Sequence, residues 1–317
     1  MGKTLVVVVG GSGYLGLHLL QSLATLADNP YDIAFTYHSH LPPPPFFDAI
    51  GPLHAFKVDL QSGEGLDSIS ATLGQPHVVV NCAAISVPRA CELNPSAATA
   101  INVPRPLIKW MSTFSDRGAP LLIHLSTDQV YEGVKSFYKE DDETNAVNMY
   151  GKSKVMAENY ICSNFSSYAI LRSSIIYGPH PVIPVEKTLP IQWIDGVLSS
   201  GKEIEFFHDE FRCPIYVKDV VNVILSLIRK WNSGDKCIQV VLNVGGPDRV
   251  SRVQMAEVVS ELKGYDSSSI KSVSAASVNR GVASPADISM DVSKVVKLLG
   301  INPTPFKDGV QLTLESQ

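Results

Sequence analysis

A doubly wound α/β fold, a parallel sheet with helices on both faces and a smaller C-terminal lobe, is predicted by three observations. Short apolar runs alternate with helix-compatible stretches through the first half of the chain, an order that yields a parallel sheet covered on both faces. At 317 residues and 45% hydrophobic content the chain is long enough and apolar enough to bury a large core. The regular rhythm breaks after Leu171, where Gly178, Pro179, Pro181 and Pro184 open an irregular stretch.

The expected strands are Thr4 to Val9, Asp32 to Tyr37, His54 to Val58, His77 to Asn81, Leu121 to Ser126 and Tyr168 to Leu171. Helices are expected over Tyr14 to Leu26, Gly65 to Leu73 and Tyr150 to Cys162. Pro42 to Pro45 are expected to form a stiff exposed connector, because proline has no N–H for a ladder and cannot continue a helix. Pro104 and Pro106 should break the helical stretch that runs from Pro95 to Phe114. Beyond the irregular stretch come a helix near Ile191 to Ser199, a return to the first domain over Ile215 to Lys230, and a further strand at Val240 to Val244. Helices near Val253 to Leu262 and Val292 to Leu299 are assigned to the smaller lobe, with Ser251 and Asp291 as their N-caps, and Ser267 to Ser269 is loop-like. The resulting division is 1–174 plus a returning 213–245 for the first domain, and 175–212 plus 246–317 for the lobe.

A formal net charge of −5, with 26 Lys and Arg against 31 Asp and Glu, offers no broad attraction to phosphate backbones or anionic lipid, so neither nucleic acid nor membrane is an expected partner. The run Leu5 to Val9 is too short for a signal segment or a membrane span. Cys82, Cys91, Cys162, Cys213 and Cys237 are scattered, without the close pairing of a metal clamp or redox couple; they suit a reducing cytoplasm, and no metal is expected.

Gly10, Gly13 and Gly16 directly follow the first strand and open the first helix. In that position they serve a tight turn, close approach of backbone to a pyrophosphate, and close helix-to-strand packing, with the phosphates at the helix N-terminus. Tyr14 and Leu15 belong to the same turn, and Asp59 with Leu60 follows the third strand, where the carboxylate can accept from an adenine amine. The second strand ends Phe35 to His40 without the carboxylate that holds the ribose 2′-hydroxyl of NAD; His38 and Ser39 can donate to a 2′-phosphate instead. NADP(H) is therefore favoured as cofactor, with NAD(H) the alternative.

Tyr150 and Lys154 lie four apart on one helix face. A neighbouring ammonium favours tyrosinate and is expected to lower the Tyr150 pKa, so that its hydroxyl exchanges a proton near neutrality. Ser126, Thr127 and Asp128 end a strand at the sheet's carboxyl edge, where a hydroxyl can hold a substrate carbonyl beside Tyr150. Small residues at Cys82, Ala83 and Ala84 let a cofactor lie against backbone.

With these motifs in this order, the chain resembles the extended short-chain dehydrogenases/reductases, a Rossmann-type family. More narrowly it resembles the dTDP-4-dehydrorhamnose reductase branch, which also contains the regulatory beta subunit of methionine adenosyltransferase. Arg172 to Gly178, Pro214 to Val220 and Asp291 to Lys294 extend the similarity over nearly the whole length, whereas Pro179 to Phe211 departs from the pattern. The resemblance implies that Tyr150 is the proton donor, Lys154 the ribose contact, and Thr127 the hydroxyl that orients a substrate ketone, in the reduction of a 4-keto-deoxysugar nucleotide. Arg212 is a candidate for the substrate diphosphate. The second function the resemblance allows is an NADP-binding regulatory subunit that docks on a methionine adenosyltransferase catalytic subunit; homodimerisation is a family expectation.

Overall fold

The computed structural model describes residues 3–28, 30–51, 53–114, 118–185, 188–234 and 238–316. Cys237 lies outside them. Strands β1 (Thr4–Val9), β2 (Tyr31–Tyr37), β3 (His54–Lys57), β4 (Val78–Asn81), β5 (Leu121–Thr127) and β6 (Tyr168–Ser173) alternate with helices α1 (Tyr14–Ala24), α2 (Pro44–Ile50), α3 (Leu66–Leu73), α4 (Pro88–Leu93), α5 (Pro95–Asn102), α6 (Arg105–Ser112) and α7 (Met149–Asn164). The second half contributes β7 (Ile176–Tyr177), α8 (Pro190–Leu198), β8 (Ile204–Phe207), β9 (Phe211–Arg212), β10 (Ile215–Tyr216), α9 (Val217–Asn232), β11 (Gln239–Val244), β12 (Val250–Ser251), α10 (Arg252–Lys263), β13 (Ile270–Val273), α11 (Ser293–Leu299) and α12 (Phe306–Glu315).

Seven strands pair in the order β11-β6-β5-β4-β1-β2-β3, every neighbouring pair parallel. The doubly wound expectation is thus met. Burial follows position in the sheet: Val6 to Val9 at its centre are fully buried, while the edge strand β3 exposes His54 and Lys57. A β-branched run suits the centre because both of its faces meet helices. One face packs Leu17, Leu20, Val221 and Ile224 of α1 and α9; the other packs Leu66, Ile69, Leu107, Trp110 and Ile161 of α3, α6 and α7. A third cluster, with Ile191, Ile194, Phe206, Met255, Val259, Phe306 and Val310, joins α8, β8, α10 and α12.

Three details differ from expectation. Pro44 and Pro45 open α2 instead of extending a connector, since the first helical turn needs no N–H partner there and a φ near −65° is already helical. Helix α11 is not part of the lobe: Val295 is buried with Val223 and Leu242 in the core beside the main sheet. Its N-cap is Val292, and the Asp291 carboxylate accepts from the Ser293 N–H at 2.8 Å. Ser267–Ser269 forms a short 3-10 turn capped by Asp266. By contrast Pro104 does break the helical stretch, between α5 and α6, and Ser251 caps α10 in a reciprocal box with Gln254.

Candidate active site

The strand order reverses between β1 and β4, and a cavity of about 850 Å³ opens at the carboxyl ends of these strands, the place where open α/β sheets present ligands. It is lined by the turn from Gly10 to Leu17, by Cys82, Ala84 and Ser86 beyond β4, and by Ser126, Thr127, Asp128, Gln129 and Tyr150. His38 to Pro43 line one end, and the irregular segment with Ile183, Pro184, Val185 and Thr188 to Pro190 faces the rest.

The turn is shaped by what a side chain would meet. Gly10 has φ +74° and lies against Ala83, and a Cβ on Gly16 would sit 2.5 Å from the Gly10 carbonyl oxygen. Close packing of α1 onto the turn follows. Gly13 at the N-cap supplies no side-chain acceptor, and the first turn of α1 holds no acidic residue. An uncapped, uncompensated helix N-terminus that faces a cavity fits the pyrophosphate of a dinucleotide. His38 and Ser39 lie at one end of the cavity with Nδ1 and Oγ 2.8 Å apart, and Asp128 is the one carboxylate among its described lining residues.

Tyr150, Lys154 and Glu158 recur every fourth residue along α7, so all three face the sheet. The helix starts with Asn148, whose side chain accepts from the Gly151 N–H at 2.9 Å. Glu158 anchors it: Arg172 of β6 donates through Nη2 at 2.7 Å and through Nε to both carboxylate oxygens, and Ser126 Oγ donates to Oε1 at 2.5 Å. Arg172 in turn reaches the Tyr131 hydroxyl, which donates to Asn243 Oδ1 at 2.7 Å. The pair is 7% exposed on each side.

Lys154 is 1% exposed, with Nζ 2.5 Å from the Leu125 carbonyl oxygen and 3.0 Å from His124 Nε2. Burial pulls its pKa down to about 8, against the attraction of Glu158. Tyr150 departs from expectation: burial pushes its hydroxyl well above the ordinary range, with hydrogen bonding to Thr127 opposing and Asp128 reinforcing the rise. The Lys154 nitrogen expected to lower it is engaged with Leu125 and His124. Burial likewise raises the Asp128 carboxyl, while Arg212, Ser174 and Thr127 lower it; Ser174 Oγ donates to Oδ2 at 2.8 Å.

Of the residues singled out in the sequence, Gly10, Gly13, Tyr14, Leu15, Gly16, His38, Ser39, Cys82, Ala84, Ser126, Thr127, Asp128 and Tyr150 border this one cavity. Ser126 does so with its hydroxyl committed to Glu158. Others are placed elsewhere, among them Lys154, which is buried behind the cavity and does not border it. Asp59 accepts from the Gln61 N–H and the Ser62 hydroxyl of its own loop, and Leu60 packs with the α3–α6 core. Ala83 lies behind Gly10. Arg212 is 3% exposed and donates to the carbonyls of Phe211, Ala286 and Pro285. His124, Glu158 and Gln129 were not singled out. Glu158 was legible as the next residue of the Tyr150–Lys154 row; His124, inside an apolar run, carries no such signal.

The family model described as RmlD substrate binding domain matches residues 4–317. The chain belongs to that family. A probable low-salt glycan biosynthesis reductase from Haloferax volcanii is 31% identical over 306 residues, covering 95% of this chain and 94% of the relative. Methionine adenosyltransferase 2 subunit beta from Bos taurus is 32% identical over 243 residues, covering 76% and 70%. Among solved structures, a hypothetical dTDP-4-dehydrorhamnose reductase from Sulfolobus tokodaii aligns with TM-score 0.77 and 25% identity over 96% of this chain and 98% of that one. The NADP complex of a dTDP-4-dehydrorhamnose reductase from Bacillus anthracis aligns with TM-score 0.80 at 19% identity, over 99% and 100%, a likeness of fold. The extended short-chain dehydrogenase/reductase fold of this family member is the one its motifs imply.

Proposed function

We propose that the protein is an NADPH-dependent reductase of a keto-deoxysugar nucleotide, with Tyr150 as proton donor. One observation carries the reading: Thr127 and Tyr150 meet in the lining of the same cavity that the glycine turn borders. NADPH, when bound, supplies the hydride. Gly10, Gly13 and the first turn of α1 would hold its pyrophosphate, and His38 and Ser39 its 2′-phosphate. Thr127 orients the ketone oxygen toward Tyr150. A tyrosine kept protonated by burial is in the form a donor requires. Lys154, on the next turn of α7 and behind the cavity lining, would be the ribose contact once its Nζ turns from the Leu125 carbonyl.

The relatives named as methionine adenosyltransferase beta subunits favour a second reading, an NADP-holding regulatory subunit of a methionine adenosyltransferase. Incubation with C4-deuterated NADPH and a 4-keto-6-deoxyhexose nucleotide separates the two. Deuterium at the sugar C4 supports the reductase; no transfer, together with co-purification of a methionine adenosyltransferase catalytic subunit, supports the regulator.

A further inference from the structure

Behind Lys154 lies a short chain of buried polar groups. Asn81 ends β4 and His124 is its partner across the ladder on β5, so the two side chains are neighbours. Asn81 is 2% exposed and His124 fully buried. Asn81 Nδ2 is 3.2 Å from His124 Nδ1, and His124 Nε2 is 3.0 Å from Lys154 Nζ.

The donors in this chain can be assigned. Asn81 Oδ1 accepts from the Ala83 N–H at 3.1 Å, which fixes the amide and leaves Nδ2 to donate to the imidazole. Burial and the adjoining lysine keep His124 neutral, with a single N–H. Because Nδ1 accepts from Asn81, that proton sits on Nε2, directed at the Lys154 nitrogen. A neutral amine accepts it. An ammonium would force the proton to Nδ1, donor against donor at Asn81 between two buried side chains.

We propose that Asn81 and His124 are positioning residues that clamp the Lys154 amine through a fixed imidazole tautomer and favour its neutral form. The inference deepens the reading of Lys154 as a site residue and rests on it. The other ionisable groups facing Lys154 are Glu158 and Cys82; Glu158, although paired with Arg172, still favours the ammonium, while burial opposes it. The hydrogen-bonding sense of His124, 3.0 Å from Nζ, adds to burial in favouring the amine, so that Lys154 can give up a proton near neutral pH.

Nitrogen-15 NMR of the ligand-free wild-type protein, recorded at a pH above the Lys154 titration, where the amine is neutral, reads the tautomer directly. We expect a protonated Nε2 and a bare Nδ1; the reverse assignment overturns the proposal, and this measurement needs no variant. Carbon-13 NMR of labelled lysine then follows Lys154, which should titrate at about 8 in the wild type. In His124→Leu the neutral amine loses its donor while the ammonium keeps the Leu125 carbonyl, so the titration should move up by about half a unit to one unit. A downward shift in the folded variant would mean that His124 accepts from an ammonium, and no shift would mean that it only fills space; either overturns the clamp. The expected tautomer and upward shift support it whether or not the protein turns over a sugar nucleotide.

Discussion

Removing the negative charge of Glu158 should unseat the helix that carries Tyr150 and Lys154. Glu158→Gln keeps the shape and one acceptor, yet leaves the Arg172 guanidinium, 7% exposed, without its counter-ion. Breaking one side of a buried pair costs about 3–5 kcal/mol, because a charge is stranded out of water. Against a total stability of roughly 5–15 kcal/mol that is a large share. For a chain of this length the unfolding entropy near 60 °C is on the order of 0.7 kcal/mol per kelvin, so differential scanning calorimetry should show Tm lowered by about 4–8 °C. Replacing both partners, as Glu158→Leu with Arg172→Met, should recover most of the loss, since an apolar pair strands no charge. The assay is calorimetry at pH 7 with NADPH titrated separately, and affinity should fall with the single substitution. A Tm within about 1.5 °C of wild type for Glu158→Gln, roughly 1 kcal/mol, would refute the anchoring argument.

Gly16→Ala forces a methyl to 2.5 Å from the Gly10 carbonyl oxygen, so the turn must move; titration calorimetry should show NADPH binding weakened about five- to 150-fold, as roughly 1–3 kcal/mol of overpacking implies. His18 lies beneath that turn with Nε2 3.1 Å from the Pro179 carbonyl oxygen, and burial lowers its pKa from 6.5 to about 4. The folded value lies below the unfolded one. The contribution, on the order of 3 kcal/mol, is therefore complete above pH 6.5 and lost as pH falls toward 4, and His18→Leu should flatten that slope in urea melts across the window. Thr127→Val should lower kcat/KM for the ketone at least tenfold with cofactor affinity unchanged; an equal loss of both would point to collapse of the strand end instead.

Those elements were legible in the sequence wherever local pattern and global fold agree. Val6 to Val9 read as a buried strand, and Gly10, Gly13 and Gly16 sit where a strand gives way to a helix. Tyr150 and Lys154 share a face by spacing alone. Long-range partnerships were not legible. Arg172 meets Glu158, and Arg212 spends its guanidinium on Phe211, Pro285 and Ala286, because of how β6 lies beside α7 and how 284–286 folds over β9. Proline was over-read at Pro44 and Pro45, where its fixed φ starts a helix as readily as it stiffens a loop. For Tyr150, spacing places a lysine on the same face but says nothing of where the lysine nitrogen points. Leu125 and His124 claim it, and burial sets the hydroxyl.

The most direct test of the reductase assignment is NADPH oxidation by the purified wild-type protein and Tyr150→Phe with a 4-keto-6-deoxyhexose nucleotide, each paired with calorimetric titration of NADPH. The account predicts turnover by the wild type and at least a hundredfold loss in Tyr150→Phe with NADPH affinity nearly unchanged, the scale of a missing general acid. Undiminished turnover in Tyr150→Phe, or tight NADPH binding with no turnover by the wild type, would contradict it.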